Sequence, residues 1–351
     1  MTEQKKEVKI HEGLKSLTLK PTLKCNANCA FCKQRLDNYK KSHGHNDISL
    51  SDWAKIIDEA IALGVESVNI SGGEPTLYSQ LFDLINICKA KSMKVNLKSN
   101  GYLIDKKFSQ KLGHTKLDSC TISIYSHNEF VHDEIKGVNG SYRASIAAIK
   151  YLTEEGIGTC LQTVLTKEML ENFDQFLKWA SGLNIGILFL SYLEGSSNEH
   201  RPSESKINDF IDIMIPKSKE ILKKALIDKP ILLKLSLDAM DGLFRFGDVS
   251  VAQIAKGIYN PPTLAGCGRN YSMAILLNNG EIHPCNAVEY FSEPVMGDLN
   301  KTSFTEAWDS ELWHRVKKNG TGWCTVCPMN RHTFIKFKEN VDADSFYSTP
   351  K

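Results

Sequence analysis

The sequence predicts an α/β protein built on a parallel β-sheet, because strand-like and helical runs alternate along it. Short runs rich in β-branched residues alternate with amphipathic helical runs through the first part of the chain. Alternation on this scale is typical of right-handed βαβ units, in which a helix connects each strand to the next parallel strand. Periodicity alone leaves open whether the strands form an open sheet or an incomplete barrel.

The predicted elements follow one another in order up to residue 192. The six predicted strands are 16–22, 66–70, 94–98, 119–126, 159–166 and 186–192. The predicted amphipathic helices lie near 50–63, 78–91, 105–112, 141–155 and 168–182. The first of these helices has Ser49 and Asp52 in an arrangement resembling a capping box, and Gly64 follows its end.

The pattern changes after Gly195. Residues 196–262 contain two polar helical stretches around a strand-like run, LLKLSLD, at 232–238. A hairpin is predicted beyond Cys267, where YSMAILL and EIHPC flank a turn at Asn278-Asn279-Gly280. The chain from about Phe334 is predicted to be a tail. The resulting division is 1–195, 196–265, 266–333 and 334–351.

Composition narrows the functional classes. The 351 residues include 43 basic and 41 acidic ones, with a net charge of +2, so no polybasic surface indicates nucleic-acid binding. The longest apolar runs are too short to span a bilayer, and the polar N-terminus has no signal-peptide core. We therefore expect a cytoplasmic protein with neither nucleic-acid nor membrane partners. In that reducing compartment, ten cysteines are expected to be metal ligands or buried thiols.

Three of the cysteines lie close together in the run KCNANCAFCK, at Cys25, Cys29 and Cys32. Three thiolates at this C-x3-C-x2-C spacing can hold three corners of a [4Fe–4S] cluster, whereas full ligation takes four cysteines. The next cysteine is Cys88, so one iron would be left open for chemistry. A zinc site is the alternative, although zinc sites commonly use two C-x2-C pairs.

Further motifs follow the next strands. Ser71-Gly72-Gly73-Glu74-Pro75 combines glycines, which allow close approach of a ligand to the backbone, with a carboxylate that can receive an ammonium group. Ser99-Asn100-Gly101 follows the third strand. Alternation along the fourth strand places Ser123 and Tyr125 on the inner face and turns Cys120 towards the helices as a buried thiol. Tyr125 is also a candidate for substrate contact.

Together, CNANCAFC, SGGEP, SNG, TISIYS followed by HDEIKGVNGSY, and LQTVLTKEMLEN resemble the radical S-adenosylmethionine superfamily. The resemblance spans roughly residues 16–195 and implies a partial (β/α)6 barrel of the TIM type. It also implies that Cys25, Cys29 and Cys32 ligate a [4Fe–4S] cluster. The open iron of that cluster would chelate the amine and carboxylate of S-adenosylmethionine.

The same resemblance implies further contacts with S-adenosylmethionine. Phe31 and Leu193 would contact the adenine, and Gly72, Gly73 and Glu74 would contact the ammonium group. Ser99, Asn100 and Ser123 would contact the ribose, and Gln162 would contact the carboxylate. An electron from a reductant such as flavodoxin or ferredoxin would pass through the cluster to the sulfonium. The resulting 5′-deoxyadenosyl radical would abstract a hydrogen atom from a substrate C–H bond.

A second cysteine set comprises Cys267, Cys285, Cys324 and Cys327. Four cysteines suit a zinc ribbon as well as a cluster. The spacing and the intervening sequence nevertheless resemble the twitch module, a short relative of the SPASM domain, which implies an auxiliary [4Fe–4S] cluster. Four protein ligands would close this cluster and favour electron transfer over substrate ligation.

Cys160 is the remaining candidate catalytic residue. It lies two residues before Gln162 on one strand, so both side chains face the barrel interior. A thiol there could return a hydrogen atom to a substrate radical, as an epimerase requires. The alternative is a small residue that fills the barrel floor. Cys88, in a helical run, is expected to belong to the core.

Three functional hypotheses follow. The first is an enzyme that dehydrogenates or epimerises a small polar molecule, such as a sugar, cyclitol or nucleoside-derived alcohol. The second is a maturase that epimerises or cross-links a ribosomally made peptide. About 15 residues precede the first strand, so we expect no fused leader-binding domain there. The third, a metal-stabilised binding protein, is disfavoured by the open-iron triplet.

Overall fold

The structure, a computed structural model, describes residues 13–32, 48–193, 199–245, 249–257, 272–284, 295–319, 333–339 and 341. Over this part of the chain, ten strands form one sheet in the order β10-β6-β5-β4-β3-β2-β1-β7-β8-β9. The strands are β1 (Ser16–Lys20), β2 (Ser67–Ile70), β3 (Lys94–Ser99), β4 (Ser119–Ser123), β5 (Gly158–Leu165), β6 (Ile187–Tyr192), β7 (Met273–Leu277), β8 (Glu281–His283), β9 (Gly297–Asp298) and β10 (Thr333–Lys336).

Helices connect these strands and cover one face of the sheet. They are α1 (Leu50–Ala62), α2 (Leu81–Ala90), α3 (Lys106–His114), α4 (Glu129–Lys136), α5 (Ser141–Glu154), α6 (Lys167–Glu171), α7 (Phe173–Ser181), α8 (Glu204–Asp209), α9 (Ile215–Ala225), α10 (Pro230–Gly242), α11 (Val251–Ala255), α12 (Phe304–Trp308) and α13 (Glu311–Asn319). A π-helical turn at Phe210–Met214 joins α8 to α9. Ser49 caps α1 by accepting a hydrogen bond from the backbone N–H of Asp52, as predicted.

Strands β1 to β6 are parallel to one another, which confirms the predicted α/β fold. The sheet does not close, so a partial barrel of the TIM type describes it. The side chains that face the helices form the main apolar core, for example Leu17 and Leu19 of β1 with Trp53 and Ile57 of α1. The carboxyl ends of parallel strands lie at one rim, where the loops that follow β1, β2 and β3 meet.

The inner face of the sheet carries a row of hydrogen-bonded polar side chains. Asn96 donates from Nδ2 to Asn69 Oδ1 at 3.0 Å. Its Oδ1 accepts hydrogen bonds from Ser119 and Thr121 at 3.0 and 3.1 Å. All four residues are buried, and a buried polar group left unpaired costs about 1–3 kcal/mol. The row therefore gives the interior a polar lining without an energetic penalty for unpaired groups.

The C-terminal part of the chain extends the sheet at both edges. Strand β7 runs parallel to β1, and β8 pairs with β7 in the predicted hairpin. Strand β10 runs antiparallel to β6, so the prediction that a tail begins at Phe334 is wrong for residues 333–336. Ile335 of β10 is fully buried in the main core, which explains why this segment forms a strand.

The prediction of a strand-like run at 232–238 is also wrong, because these residues belong to helix α10. Pro230 provides a favourable helix start. Leu232, Ser236 and Met240 then recur at helical spacing on the buried side. The helix packs against β10, so its apolar residues face a strand that was not predicted. Among the residues described here, no helix is long and apolar enough to cross a membrane.

Candidate functional site

The loop that carries the first three cysteines leaves β1 and lies against the end of helix α4. Asn28 N–H donates to Lys136 O at 2.9 Å, and Ala30 N–H donates to Ile135 O at 2.8 Å. The helix then ends at Gly137, whose φ of 66° is left-handed. A Cβ there would lie 2.9 Å from Asn28 O, so the close contact between loop and helix depends on a glycine.

Cys25, Cys29 and Cys32 share this loop. Cys25 Sγ accepts a hydrogen bond from the Ala27 N–H at 3.4 Å. Burial raises the pKa of the Cys25 thiol, while that hydrogen bond opposes the rise. Within the part of the chain described by the structure, no three histidine, cysteine, aspartate or glutamate side chains are grouped to hold a metal ion. Ligation by these thiols therefore stays a prediction, supported by their chemistry and their common loop.

The glycines after β2 lie directly against the backbone next to the cysteine loop. A Cβ at Gly72 would lie 2.3 Å from Thr22 O. A Cβ at Gly73 would lie 2.3 Å from Lys24 O and 2.5 Å from Leu23 O. These contacts involve backbone atoms, which cannot rotate away as the end of a side chain can. Loop packing therefore requires glycine at both positions, and the predicted contact of Gly72 and Gly73 with an ammonium group stays a prediction.

Glu74 connects the loops that follow β1, β2 and β3. Its Oε1 accepts hydrogen bonds from Thr76 N–H, Thr76 Oγ1 and Ser99 Oγ at 3.1, 2.7 and 2.8 Å. Its Oε2 accepts one from Asn100 N–H at 2.7 Å, and its own N–H donates to Lys24 O at 2.7 Å. The residue is only 1% exposed. The structure thus gives Glu74 a structural role, and its predicted contact with an ammonium group stays a prediction.

Ser99 and Asn100 also form hydrogen bonds within these loops. Ser99 Oγ accepts from Gly101 N–H at 2.9 Å. Asn100 Nδ2 donates to Asn26 Oδ1 at 2.7 Å, which joins the loop after β3 to the cysteine loop. The structure therefore brings together the three motifs that the sequence singled out. Contact of either side chain with ribose stays a prediction.

The other predicted cofactor residues lie around the same rim. Gln162 Nε2 donates to Ser191 Oγ at 3.0 Å, which connects β5 to β6. Leu193 is buried directly after β6. Phe31 makes an edge-to-face contact with Tyr125, with ring centroids 4.9 Å apart. Ser123 is the last residue of β4, two residues before Tyr125.

The remaining cysteines within the described residues are buried. Cys120 belongs to the helix-facing core, as predicted, and so does Cys88 of α2. Cys160 instead packs with Ile187, Phe189 and Phe334 in a small cluster separate from that core. Cys160 therefore lies on the inner face, and burial raises the pKa of its thiol to about 12. Cys267, Cys285, Cys324 and Cys327 lie outside the described residues.

Lys136 is a site residue that the sequence analysis missed. Its side chain is buried, and its Nζ has no hydrogen-bond partner in the structure. The ammonium lies 5.2 Å from the centroid of the Tyr125 ring and interacts electrostatically with Cys29 and Glu74. Desolvation lowers the pKa of Lys136. A lysine is rarely buried without a partner, so its position at this rim indicates an anion-binding function.

His200 was also missed. Its ring lies edge-on to Phe31, with centroids 6.3 Å apart, and its Nδ1 lies 3.4 Å from Glu168 Oε1. His200 follows β6 in the chain and Glu168 lies on α6. No motif in the sequence marks His200, because only the fold brings its segment to Glu168 and to the rim beside the cysteine loop.

Comparison with known proteins agrees with this geometry. Residues 19–180 match the family model described as the Radical SAM superfamily, and residues 267–328 match SPASM, described as an iron–sulfur cluster-binding domain. Residues 19–180 therefore form a radical S-adenosylmethionine domain. The cofactors of the chain are S-adenosylmethionine and iron–sulfur clusters. The second match favours an auxiliary iron–sulfur cluster over the zinc alternative.

Several relatives align with most of this radical S-adenosylmethionine enzyme. PqqA peptide cyclase from Gluconobacter oxydans is 22% identical, over 89% of this chain and 82% of its own length. Mycofactocin maturase MftC from Mycolicibacterium smegmatis is 25% identical, over 89% and 74%. AdoMet-dependent heme synthase from Nitratidesulfovibrio vulgaris is 22% identical, over 88% and 83%.

A solved structure shares the fold. Streptococcus suis SuiB, crystallised with its precursor peptide SuiA, superposes with a TM-score of 0.65. The match covers 90% of this chain and 71% of SuiB at 20% sequence identity. This similarity confirms the partial-barrel architecture of the radical S-adenosylmethionine enzyme.

The residues at this rim fit the cofactors that the family implies. The loop supplies three thiols, the glycines keep backbone atoms in close contact, and Lys136 provides a buried amino group without a hydrogen-bond partner among the described residues.

We expect Gly73→Ala to disturb the cysteine loop, because its Cβ would overlap two backbone carbonyl oxygens. The affinity for S-adenosylmethionine should fall at least about tenfold, equivalent to about 1.4 kcal/mol. Equilibrium dialysis against the reconstituted variant measures this change.

Gly242→Ala is the matched control, because no atom lies within 4 Å of the Cβ position at this helix end. Its iron content and its affinity for S-adenosylmethionine should equal those of the unmodified protein. Equal affinities in both variants would contradict the proposed packing requirement at Gly73.

Proposed function

We propose that the chain is a radical S-adenosylmethionine maturase that modifies a ribosomally made peptide. The observation that supports this proposal is the extent of similarity to PqqA peptide cyclase and mycofactocin maturase. Each alignment covers 89% of the chain and so includes both the barrel and the C-terminal module. These relatives favour a peptide over the small polar molecule that was the first expectation from the sequence.

We propose separate roles for the cofactors and for the residues of the chain. Bound cluster and S-adenosylmethionine supply a 5′-deoxyadenosyl radical, with an electron from a partner such as flavodoxin or ferredoxin. The chain's own residues hold these groups at the rim and enclose the reacting carbon in the polar interior. The connector at 196–265 is proposed to contribute to the substrate site. The auxiliary cluster at Cys267, Cys285, Cys324 and Cys327 is proposed to transfer electrons.

We assign Lys136 to the carboxylate of S-adenosylmethionine. Its ammonium is buried and lacks a hydrogen-bond partner beside the cysteine loop, so a carboxylate would provide the missing partner. A hydrogen bond between charged groups contributes about 1.5–3 kcal/mol. Lys136 would act together with Gln162, whose contact with the carboxylate stays a prediction; Gln162 Nε2 donates one hydrogen bond to Ser191 and keeps a second N–H donor.

Lys136→Met removes the charge while keeping most of the side-chain volume. We expect the dissociation constant of S-adenosylmethionine to rise about tenfold to one-hundredfold, from the loss of one charge-assisted hydrogen bond. Binding of 5′-methylthioadenosine, which has no carboxylate, should change little. Isothermal titration under anaerobic conditions measures both constants.

Lys150→Met provides the control, because the Lys150 side chain is 74% exposed and pairs only with Glu154. Both ligands should bind this variant normally. An equal loss of affinity for both ligands in Lys136→Met would indicate a general structural defect and contradict the assignment.

Cys160 is proposed as the hydrogen donor if the maturase epimerises its peptide. Its S–H bond would break as the substrate C–H bond forms, and one electron, proposed to come through the auxiliary cluster, and one proton would restore the thiol. The thiol is fully buried, and its raised pKa keeps the S–H bond intact at neutral pH. A hydrogen bond links it to Thr121 on the polar inner face. Phe189 and Phe334 pack beside it, so a substrate radical must reach the floor of the barrel to receive its hydrogen.

Cys160→Ala tests this role with Cys88→Ala as the matched control. Both thiols are buried, and burial raises the pKa of each to about 12, but Cys88 lies in the helix-facing core. In deuterated water, Cys160→Ala should still cleave S-adenosylmethionine yet lose deuterium incorporation into the product. Cys88→Ala should retain it. Incorporation by Cys160→Ala, measured by mass spectrometry, would exclude Cys160 as the donor.

The maturase proposal itself is tested with the short peptide encoded nearest to the gene. The reconstituted, reduced enzyme should form 5′-deoxyadenosine faster with this peptide. The peptide should lose two hydrogens on cross-linking or gain one solvent deuterium on epimerisation.

Heme synthesis is the second candidate function, because a relative is an AdoMet-dependent heme synthase. Stimulation by Fe-coproporphyrin III instead of the peptide would contradict the maturase proposal and support heme synthesis.

A further inference from the structure

A small apolar surface lies beside the cysteine loop, in the loops that follow β2 and β3. It comprises Leu77, Tyr102 and Leu103, which are 37%, 39% and 38% exposed, and we call it the rim patch. Leu77 N–H donates to Glu74 O at 3.0 Å, and Tyr102 N–H donates to Asn100 Oδ1 at 2.9 Å. Glu74 and Asn100 also hydrogen-bond to the cysteine loop, so they hold the rim patch next to it.

Positive charge borders the rim patch. Lys24 is exposed on the cysteine loop, and Lys106 and Lys107 are exposed in the first turn of helix α3. Among the residues that the structure describes, no carboxylate forms an ion pair with any of these three lysines. The carboxylate of Asp105 instead caps α3, where its Oδ1 accepts a hydrogen bond from Phe108 N–H at 2.7 Å. The three ammonium groups are therefore available to an acidic partner.

The position of Lys106 and Lys107 is unfavourable for helix α3 itself. The N-terminus of a helix carries a partial positive charge, so anions stabilise the first turn and cations stabilise the last one. Helix α3 has no acidic residue in its first turn, although Lys111 and His114 occupy its last turn as this rule expects. Departures from a local rule without a gain in stability are expected at functional sites. The two lysines are therefore better explained by contact with another molecule.

The neighbouring cysteine loop indicates which kind of molecule fits. The cluster predicted at Cys25, Cys29 and Cys32 must receive one electron at a time, and its donor must come close to this loop, where Cys25 is exposed. Electron-transfer complexes have small interfaces, below about 1,200 Å². Opposite charges on the two partners accelerate their association. A small apolar patch bordered by lysines matches an acidic electron carrier of the flavodoxin type, whereas a peptide substrate must reach the barrel interior.

We propose that the rim patch, together with Lys106 and Lys107, is the docking surface for an acidic one-electron carrier protein that reduces the cluster. The carrier loses one electron and the cluster gains it, with no bond formed or broken. The inference rests on the reductant named under the proposed function. Its binding test needs no peptide, so its failure is distinguishable from failure of the maturase proposal.

The first test measures binding of recombinant flavodoxin to the full-length protein by isothermal titration at low ionic strength. In Lys106→Glu/Lys107→Glu, two attractions become repulsions, so the dissociation constant should rise about tenfold or more. Added salt should weaken binding to the unmodified protein more than binding to this variant. The substitutions place anions in the first turn of α3, which favours the helix, so unfolding would not explain a loss of binding.

The second test follows reduction of the reconstituted protein by rapid-freeze electron paramagnetic resonance. The signal that changes when S-adenosylmethionine is added identifies the cluster at Cys25, Cys29 and Cys32. Reduced flavodoxin should reduce this cluster more slowly in Lys106→Glu/Lys107→Glu than in the unmodified protein. Dithionite, which needs no docking surface, should reduce it equally fast in both.

Lys223→Glu/Lys224→Glu is the matched control, because it makes the same change of charge at two adjacent exposed lysines of helix α9. This variant should bind flavodoxin as the unmodified protein does. The proposal would be overturned by an equal loss of binding in both double variants, by unchanged binding in Lys106→Glu/Lys107→Glu, or by no saturable binding to the unmodified protein. Loss of peptide turnover by Lys106→Glu/Lys107→Glu with dithionite as reductant would assign the surface to the peptide and also overturn it.

Discussion

The buried carboxylate of Glu74 is the interaction on which the geometry of the rim depends. It accepts hydrogen bonds from Thr76, Ser99 and the Asn100 backbone, while its own N–H donates to Lys24 O. A carboxylate removed from water is costly unless donors replace its hydration. Here those donors come from two loops, and the backbone bond adds the third. The hydrogen bonds of this one residue therefore determine the relative positions of the three loops that carry predicted cofactor residues.

The glycines beside Glu74 are also required by the close approach of these loops. The loop after β2 lies so close to the chain leaving β1 that a Cβ at Gly72 or Gly73 would overlap backbone oxygens. Asn100 adds a side-chain hydrogen bond to Asn26. Close packing and hydrogen bonding thus act on the same loops, and neither would position the cysteine loop alone. The buried side chain of Lys136 lies beside the same loops, where it interacts electrostatically with Cys29 and Glu74.

The C-terminal part of the chain is joined to the barrel through backbone pairing. Strand β7 extends the sheet beside β1, the strand that leads into the cysteine loop, and β10 covers the free edge of β6. The position of β10 beside β6 also affects the surroundings of Cys160. Its thiol packs with Phe189 of β6 and Phe334 of β10, so access to it depends on both of these strands.

Local patterns in the sequence were sufficient for the alternating strands and helices, the cap at Ser49 and the three loop motifs, because each depends on residues close together in the chain. They were misleading at 232–238 and at Phe334, because α10 and β10 bury their apolar residues against each other across about 100 positions. The positions of Lys136, His200 and Tyr125 depend on the same kind of distant contact.

The sequence by itself determined the superfamily, the fold class and the cofactors, because radical S-adenosylmethionine chemistry requires particular residue types at short spacings. Tertiary structure alone decided that Glu74 connects three loops, that Lys136 is buried beside the cysteine loop and that the Tyr125 ring packs against Phe31. Burial and hydrogen bonding between distant segments give these side chains their roles, and no spacing along the chain records them.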